Sequence, residues 1–319
     1  MHKRYAWDSF ILFCDVYVYM DEKCGNEQGT GVRKKDRHVV EVAGCRAVIE
    51  NRCVTEITEP CISYCPFAKR FASPINPVEK DAVRRNIEHR IRSFGMCTRD
   101  RQVTADESMV LFGASELLTT ALRNKSIDAA VICCDGAGTV IVQTPELVQG
   151  IGGRMSGLVE TVPYTEVIER IRTAGGVVID ETSASLNPAA GIAEAKQRGM
   201  ERVAVTVAGP DVTTAEEIRK AYPDVILIAV HTTQVKSTEE ARRLFSVCDL
   251  VFACASKSVR EAAAGSACVQ GGVGVPVFAA GKRGKMLILE RLAETNEPFL
   301  VKNMKLPVCD MGKQPEPLV

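Results

Sequence analysis

Six short apolar runs, each ending in turn-forming or reactive residues, constrain the fold of this chain more than any other feature. They are AAVICCDGAG (129–138), GVVID (176–180), RVAVTVAG (202–209), VILIAVHTT (225–233), LVFACAS (250–256) and VPVFAAG (275–281). A run that is apolar at successive positions offers no face to water, so each predicts a strand buried on both sides. Helix signals lie between them. Thr213 with Glu216 and Ser237 with Glu240 open helices, and Gly175-Gly176 closes another. Strands alternating with helices predict an α/β fold with a mainly parallel sheet, flanking helices and right-handed crossovers. The runs at 129–134, 176–180, 202–207, 225–231 and 250–254 are expected as parallel neighbours. The C-terminal ends of such strands share one edge, where ligands bind. That edge would carry Cys134, Asp135, Asp180, Asp211, His231, Cys254, Ser256 and Lys257, which are reactive residue types.

A small cysteine-rich segment precedes the sheet. In HVVEVAGCRAVIENRCVTEITEP, β-branched runs flank Glu50-Asn51-Arg52 and predict a hairpin ending at Pro60. Asn76-Pro77-Val78-Glu79 then predicts a helix start, with Val83, Ile87, Ile91 and Phe94 on one face and a stop near Gly95. A second helix is expected from about Ala114 to Asn124. The division expected is an extension (1–35), a cysteine-bearing segment (36–128), an α/β domain (129–300) and a loose tail (301–319). The extension is either disordered or translated from an upstream start, with Met20 as the true first residue. Its apolar run FILFCDVYVYM contains Asp15 and is half the ~20 residues that a bilayer requires, which argues against a membrane span.

Charge narrows the partners. Forty basic residues balance forty acidic ones, and no basic run is interleaved with aromatics, which argues against nucleic acid. Thirteen cysteines without a secretory signal point to a reducing, cytoplasmic setting, where thiols serve metals, catalysis or burial. CISYCPFAKR (61–70) places Cys61 and Cys65 four apart. A radical-generating cluster would want a third cysteine at position 68, which is Ala68, and the fragment matches only the end of a ferredoxin run. Two thiols in a turn remain the other reading. Cys97 follows a helix, Cys134 ends a strand and Cys254 precedes a helix start. Together with Cys65 they are four cysteines expected outside the core, enough for an iron–sulfur centre or, less readily, zinc. Cys14, Cys45, Cys53, Cys248 and Cys268 read as apolar filler.

The stretch QGIGGRMSGLVET (149–161) is the second feature. Gly150, Gly152, Gly153 and Gly157 free the backbone for close approach, and Arg154 with Ser156 suits an anion. It fits neither the dinucleotide fingerprint nor a P-loop, and a plain connector is the alternative. His231 is either a general base or ligand, or a structural histidine; Asp135 is a second proton carrier. Lys257 either neutralises an anion or sits on a solvated face.

The segments ISYCPFAKR, NIEHRIRSFGMCTRDR, VICCDGAGTVIVQTPELVQGIGGRMSGLVET and VHTTQ with CDLVFACASKSVRE together resemble methanogenesis marker protein 8, a family of methanogenic archaea, across residues 38–295. The resemblance implies a link to methanogenic metabolism, whose strictly anaerobic setting favours an iron–sulfur centre over zinc. It further implies a role in cofactor biogenesis or in maturing the methyl-coenzyme M reductase system, with an anionic small molecule or cofactor and other methanogenesis proteins as partners. In this reading Cys65, Cys97, Cys134 and Cys254 hold the centre, the glycine loop binds the anion, and His231 or Asp135 moves protons. A non-catalytic accessory protein with structural thiols is the alternative.

Overall fold

The computed structural model describes residues 36–319, so the expectations for the extension lie outside the described residues. Strands β1 (Arg37–Val42), β2 (Cys45–Glu50) and β3 (Cys53–Ile57) form an antiparallel meander. Its turns are Ala43-Gly44 and Asn51-Arg52, all four with positive φ, as two-residue hairpins of this hand require. One hairpin was expected here. Gly44 reverses the chain inside the apolar run and makes two. Helix α1 (Lys80–Phe94) begins after Glu79, later than the Asn76 signal, and packs Val83, Ile87 and Ile91 inward. It ends at Gly95, which is left-handed (φ 73°) and donates its N–H to Ile91 O. Helix α2 (Ala114–Arg123) falls where its apolar spacing places it.

The second sheet has parallel neighbours at its centre: β4 (Ala129–Cys134), β8 (Val203–Ala208), β9 (Ile226–Val230) and β10 (Leu250–Phe252). Antiparallel strands flank them and make it mixed rather than mainly parallel. Gly136 (φ 84°) and Gly138 (φ 73°) let the chain turn straight back from β4 into β5 (Gly138–Val142). With β5 in that place, the 176–180 run cannot reach the parallel strands. It supplies only β7 (Val177–Val178), antiparallel to β5 at the edge. At the other edge, β11 (Val269–Gly271) and β12 (Val277–Ala279) are antiparallel, with β12 against β10. β6 (Gly157–Glu160) leaves this sheet altogether and joins β1, giving the N-terminal sheet the order β3-β2-β1-β6.

Helix α3 (Pro145–Val148) runs into a π-helical turn over Gln149–Gly153. The helices α4 (Thr165–Thr173), α5 (Pro188–Gln197), α6 (Val212–Ala221), α7 (Thr238–Val247), α8 (Lys257–Ser266) and α9 (Lys282–Glu294) follow. Ser237 caps α7 through the Glu240 N–H, as its spacing predicts, and Ser256 caps α8 through the Val259 N–H, each at 3.1 Å. Asp211, not Thr213, caps α6. Two apolar clusters contain the sheet's inward residues, for example Ala130 and Ile132 in one, Val131 and Val205 in the other. Such alternation is the pattern of strands covered on both faces.

The end of the chain is not loose. Glu316 forms a β-bridge with Tyr64, and Val319 exchanges backbone hydrogen bonds with Ala255 and Lys257. Among the described residues no helix is long and apolar enough to cross a membrane.

Candidate functional site

The parallel strands β9 and β10 are neighbours, and the chain leaves their C-terminal ends through His231 and Cys254. Both residues are left-handed, with φ of 54° and 42°. Most non-glycine residues avoid this region, and holding one there costs about 1–3 kcal/mol, a strain that collects at functional sites. Thr232 fixes the turn between them: it is buried, and its hydroxyl donates to Phe252 O.

Two further groups reach this edge from the N-terminal segment. Glu41, near the end of β1, accepts the Gly44 N–H on Oε1 at 2.7 Å. Cys65 lies just before a short 3-10 turn (Ala68–Arg70), with its carbonyl accepting the Lys69 N–H at 3.0 Å. Burial pushes both thiols up. The N–H groups of Phe67 and Ala68 pull Cys65 back, Thr232 does the same for Cys254, and Glu41 raises both. Cys65 itself raises Cys254, so the two sulfurs share one electrostatic neighbourhood. Burial lowers the His231 pKa, with Glu41 opposing, so the imidazole is neutral near pH 7. A cleft of about 580 Å³ opens at this edge, lined by Gly44, Arg46, Cys61, Thr233, Lys236 and Ser258. A larger surface cleft of about 780 Å³ lies between residues 102–104 and α4, and none of Cys65, Cys254, His231 and Glu41 lines either cleft.

Arg260 on α8 braces Cys254. It is 4% exposed, and all five of its N–H groups are used. They go to Ala253 O (3.3 Å), Ser256 O (2.9 Å), Cys254 O (2.8 Å), Gly274 O (3.2 Å) and Gln314 Oε1 (3.2 Å). Every acceptor is neutral.

The other candidates fall elsewhere. Cys97 and Cys134, expected outside the core, are core residues at 1% and 0% exposure. The helix stop at Gly95 turns the chain inward, and Cys97 (φ 57°) gives its N–H to the Asp135 carboxylate. Asp135 is fully buried and ion-paired to the equally buried Arg101 at 2.8 Å, so its oxygens already have partners. Burial first, then Asp135, drives the Cys97 and Cys134 thiols up, which suits neutral side chains. By charge the four cysteines couple as Cys65 with Cys254 and Cys97 with Cys134, while by packing Cys65 lies on the apolar cluster that holds Cys97, and Cys254 on the one that holds Cys134. Among the described residues no three His, Cys, Asp or Glu side chains converge closely enough to hold a metal ion. Asp180 binds the N–H groups of Thr182 and Ser183. Lys257 faces solvent with Glu261 at 4.0 Å.

In the glycine loop, Gly150 lies so close to the backbone of Val103 and Thr104 that a Cβ would collide. Gly152 and Gly153 pack on Ser115 and Gln149, and Gly157 lies on Glu41. Arg154 stacks on Phe94, 5.5 Å from the ring centre, and reaches Gln102 at 3.4 Å. Ser156 accepts from Arg90 Nη1 at 3.0 Å. The residues missed from sequence are Glu41, Thr232, Arg90 and Arg260. Glu41 was legible as the one acid inside VVEVAG, whereas Arg90 and Arg260 look like ordinary helix charges until their burial is known.

Fold and edge together define a mixed α/β protein whose parallel strands end in an imidazole and a thiol, within electrostatic reach of a carboxylate and a second thiol. The chain belongs to the archaeal family described as an uncharacterized protein conserved in archaea (DUF2099), whose model matches residues 38–293. It is 42% identical over 287 residues to an uncharacterized protein of the methanogen Methanocaldococcus jannaschii, which covers 89% of this chain and all of that relative. No solved structure matches it.

Proposed function

We propose that this chain is a thiol-dependent protein of methanogen metabolism, within the marker protein 8 group, and that it works through Cys65, Cys254, His231 and Glu41. The carrying observation is that His231 and Cys254 end neighbouring parallel strands and are both held left-handed, where strain persists only if the surroundings enforce it. Cys254 is the reactive thiol, poised by Thr232, and Cys65 is its partner on the facing segment. In this reading His231 takes the thiol proton when substrate binds, since burial disfavours both charged forms in the resting protein, and Glu41, which opposes the fall of the His231 pKa, stabilises the imidazolium. A role in cofactor biogenesis or in maturing the methyl-coenzyme M reductase system suits a methanogen protein with such a centre. The methanogen relative supports that setting. The iron–sulfur reading narrows to this edge, because Cys97 and Cys134 are enclosed with Asp135 and Arg101.

The test is limited iodoacetamide labelling of anaerobically purified protein, read by mass spectrometry, alongside iron, zinc and sulfide quantification. Near pH 7.5 His231→Ala should slow the labelling of Cys254 about tenfold or more, the scale of one general base, and leave the exposed Cys268 and Cys309 unchanged. Equal labelling of Cys254 with and without the His231 imidazole would remove the thiol reading. Stoichiometric metal lost in both Cys65→Ser and Cys254→Ser would replace it with a metal centre at the same edge.

A further inference from the structure

Arg90, in the last turns of α1, is 8% exposed, yet among the described residues its guanidinium makes one hydrogen bond, to Ser156 Oγ at 3.0 Å. Its other contact is the Phe71 ring, 4.7 Å from the centroid. Two residues before Ser156 the chain carries Arg154, whose polar partner among the described residues is the neutral Gln102. Phe94 joins this group to a third arginine, since both Arg101 and Arg154 stack on its ring. Arg101 is neutralised by Asp135. Among the described residues neither Arg90 nor Arg154 has a carboxylate within ion-pair distance. Glu41, across Gly157, turns Oε1 to the Gly44 N–H instead.

A buried arginine normally has an anionic partner, because removing its charge from water is expensive. Burial, with Arg101 beside it, pushes Arg90 down to about 10, the mark of a cation lacking compensation. The short glycine-flanked segment Arg154-Met155-Ser156 sets the Ser156 hydroxyl against Arg90 and carries a second guanidinium two residues earlier, on the Phe94 ring. Arg154 is half-buried, so the group is reachable from solvent.

We propose that Arg90, Arg154 and Ser156 form a binding site for the oxyanion group of a small molecule, a phosphate or a carboxylate. Two guanidinium forks and a hydroxyl supply the charge-assisted donors that such a group takes. The site adjoins the thiol edge through Gly157, which pairs with Glu41 in the N-terminal sheet, so an anchored ligand extends toward Cys65 and Cys254. It stands on different residues from the thiol reading and is tested separately.

The experiment is thermal unfolding of the full chain at low ionic strength with increasing inorganic phosphate or malonate, against sodium chloride at matched ionic strength. A ligand that binds only the folded state raises the melting temperature along a saturable curve. One of the two anions should do so, and which one assigns the headgroup. Arg90→Gln should abolish the effect, and Arg154→Gln and Ser156→Ala should each weaken apparent affinity, Arg154→Gln by ~10-fold or more. Arg154 and Ser156 are only half-buried, so their variants keep the test valid even if Arg90→Gln fails to fold. No rise beyond that in chloride, or an equal rise in Arg154→Gln and Ser156→Ala, overturns the site.

Discussion

At the scale of single residues, Arg260 decides how Cys254 behaves. Three of its five N–H groups fix the carbonyls of Ala253, Cys254 and Ser256, which keeps Cys254 left-handed, and among the described residues no carboxylate balances its charge. Burial lowers the Arg260 pKa, and the Cys309 and Cys254 thiols oppose that. The converse follows: the guanidinium favours the Cys254 thiolate against the burial that disfavours it. Arg260→Met should therefore move the pH midpoint of Cys254 alkylation upward, while Arg260→Lys, keeping charge but losing the fork, should move it less. A purely mechanical brace would change the labelling rate at all pH values and leave the midpoint in place. Mass-spectrometric labelling across pH 6–10 separates the two outcomes. Little of this was legible in the sequence. Cys254 and His231 could be picked out because strand ends share an edge. Arg260 could not, because a charge inside VREAAAG reads as a solvated helix face until tertiary packing buries it.

Among elements, the last residues of the chain act as a clasp across the thiol edge. Glu316 O accepts from Ser63 N at 2.6 Å and from Tyr64 N at 3.1 Å, one residue before Cys65. Val319 pairs with Ala255, one residue after Cys254, and Gln314 holds Arg260. One segment thus ties down both thiol-bearing loops, neither of which is secured by a sheet ladder of its own. Removing residues 310–319 should raise amide hydrogen exchange at 61–66 and 253–258 and leave β8 and α6 unchanged. Equal protection of the two loops with and without the segment would refute the clasp. The expectation of a loose tail failed because KNMKLPVCDMGKQPEPLV has no periodicity, and its docking uses backbone groups that any sequence carries. The parallel strands were legible for the opposite reason, since both-faces burial writes itself as unbroken apolar runs. The run at 176–180 misled because the Gly136–Gly138 hairpin took the neighbouring place, and pairing order is a tertiary outcome.

Over the whole molecule, the cysteines carry a stability signature. Burial raises the Cys45 and Cys133 thiols to about 11 and Cys248 to about 12, and raises Cys97 and Cys134 as well. In the unfolded chain these thiols titrate near ~8.5. Between that pH and the folded values the native state retains protons that the unfolded state has released. Stability is therefore full below about pH 8.5, falls as pH rises toward 11–12, and falls by up to ~1.4 kcal/mol per pH unit for each such thiol. Most soluble domains lose stability in acid through their paired carboxylates; here the alkaline limb should be unusually steep. Urea unfolding under reducing, anaerobic conditions at pH 8, 9 and 10 should show a midpoint dropping by a multi-proton dependence. Cys248→Ala should lower the stability at pH 8 through lost packing yet reduce the slope by about one proton. A midpoint that stays level from pH 8 to 10 would show that the buried thiols ionise in the folded protein nearly as easily as in water. Cys97 and Cys134 would then be available as thiolates, and the separation of working thiols at the edge from inert ones in the core would no longer hold.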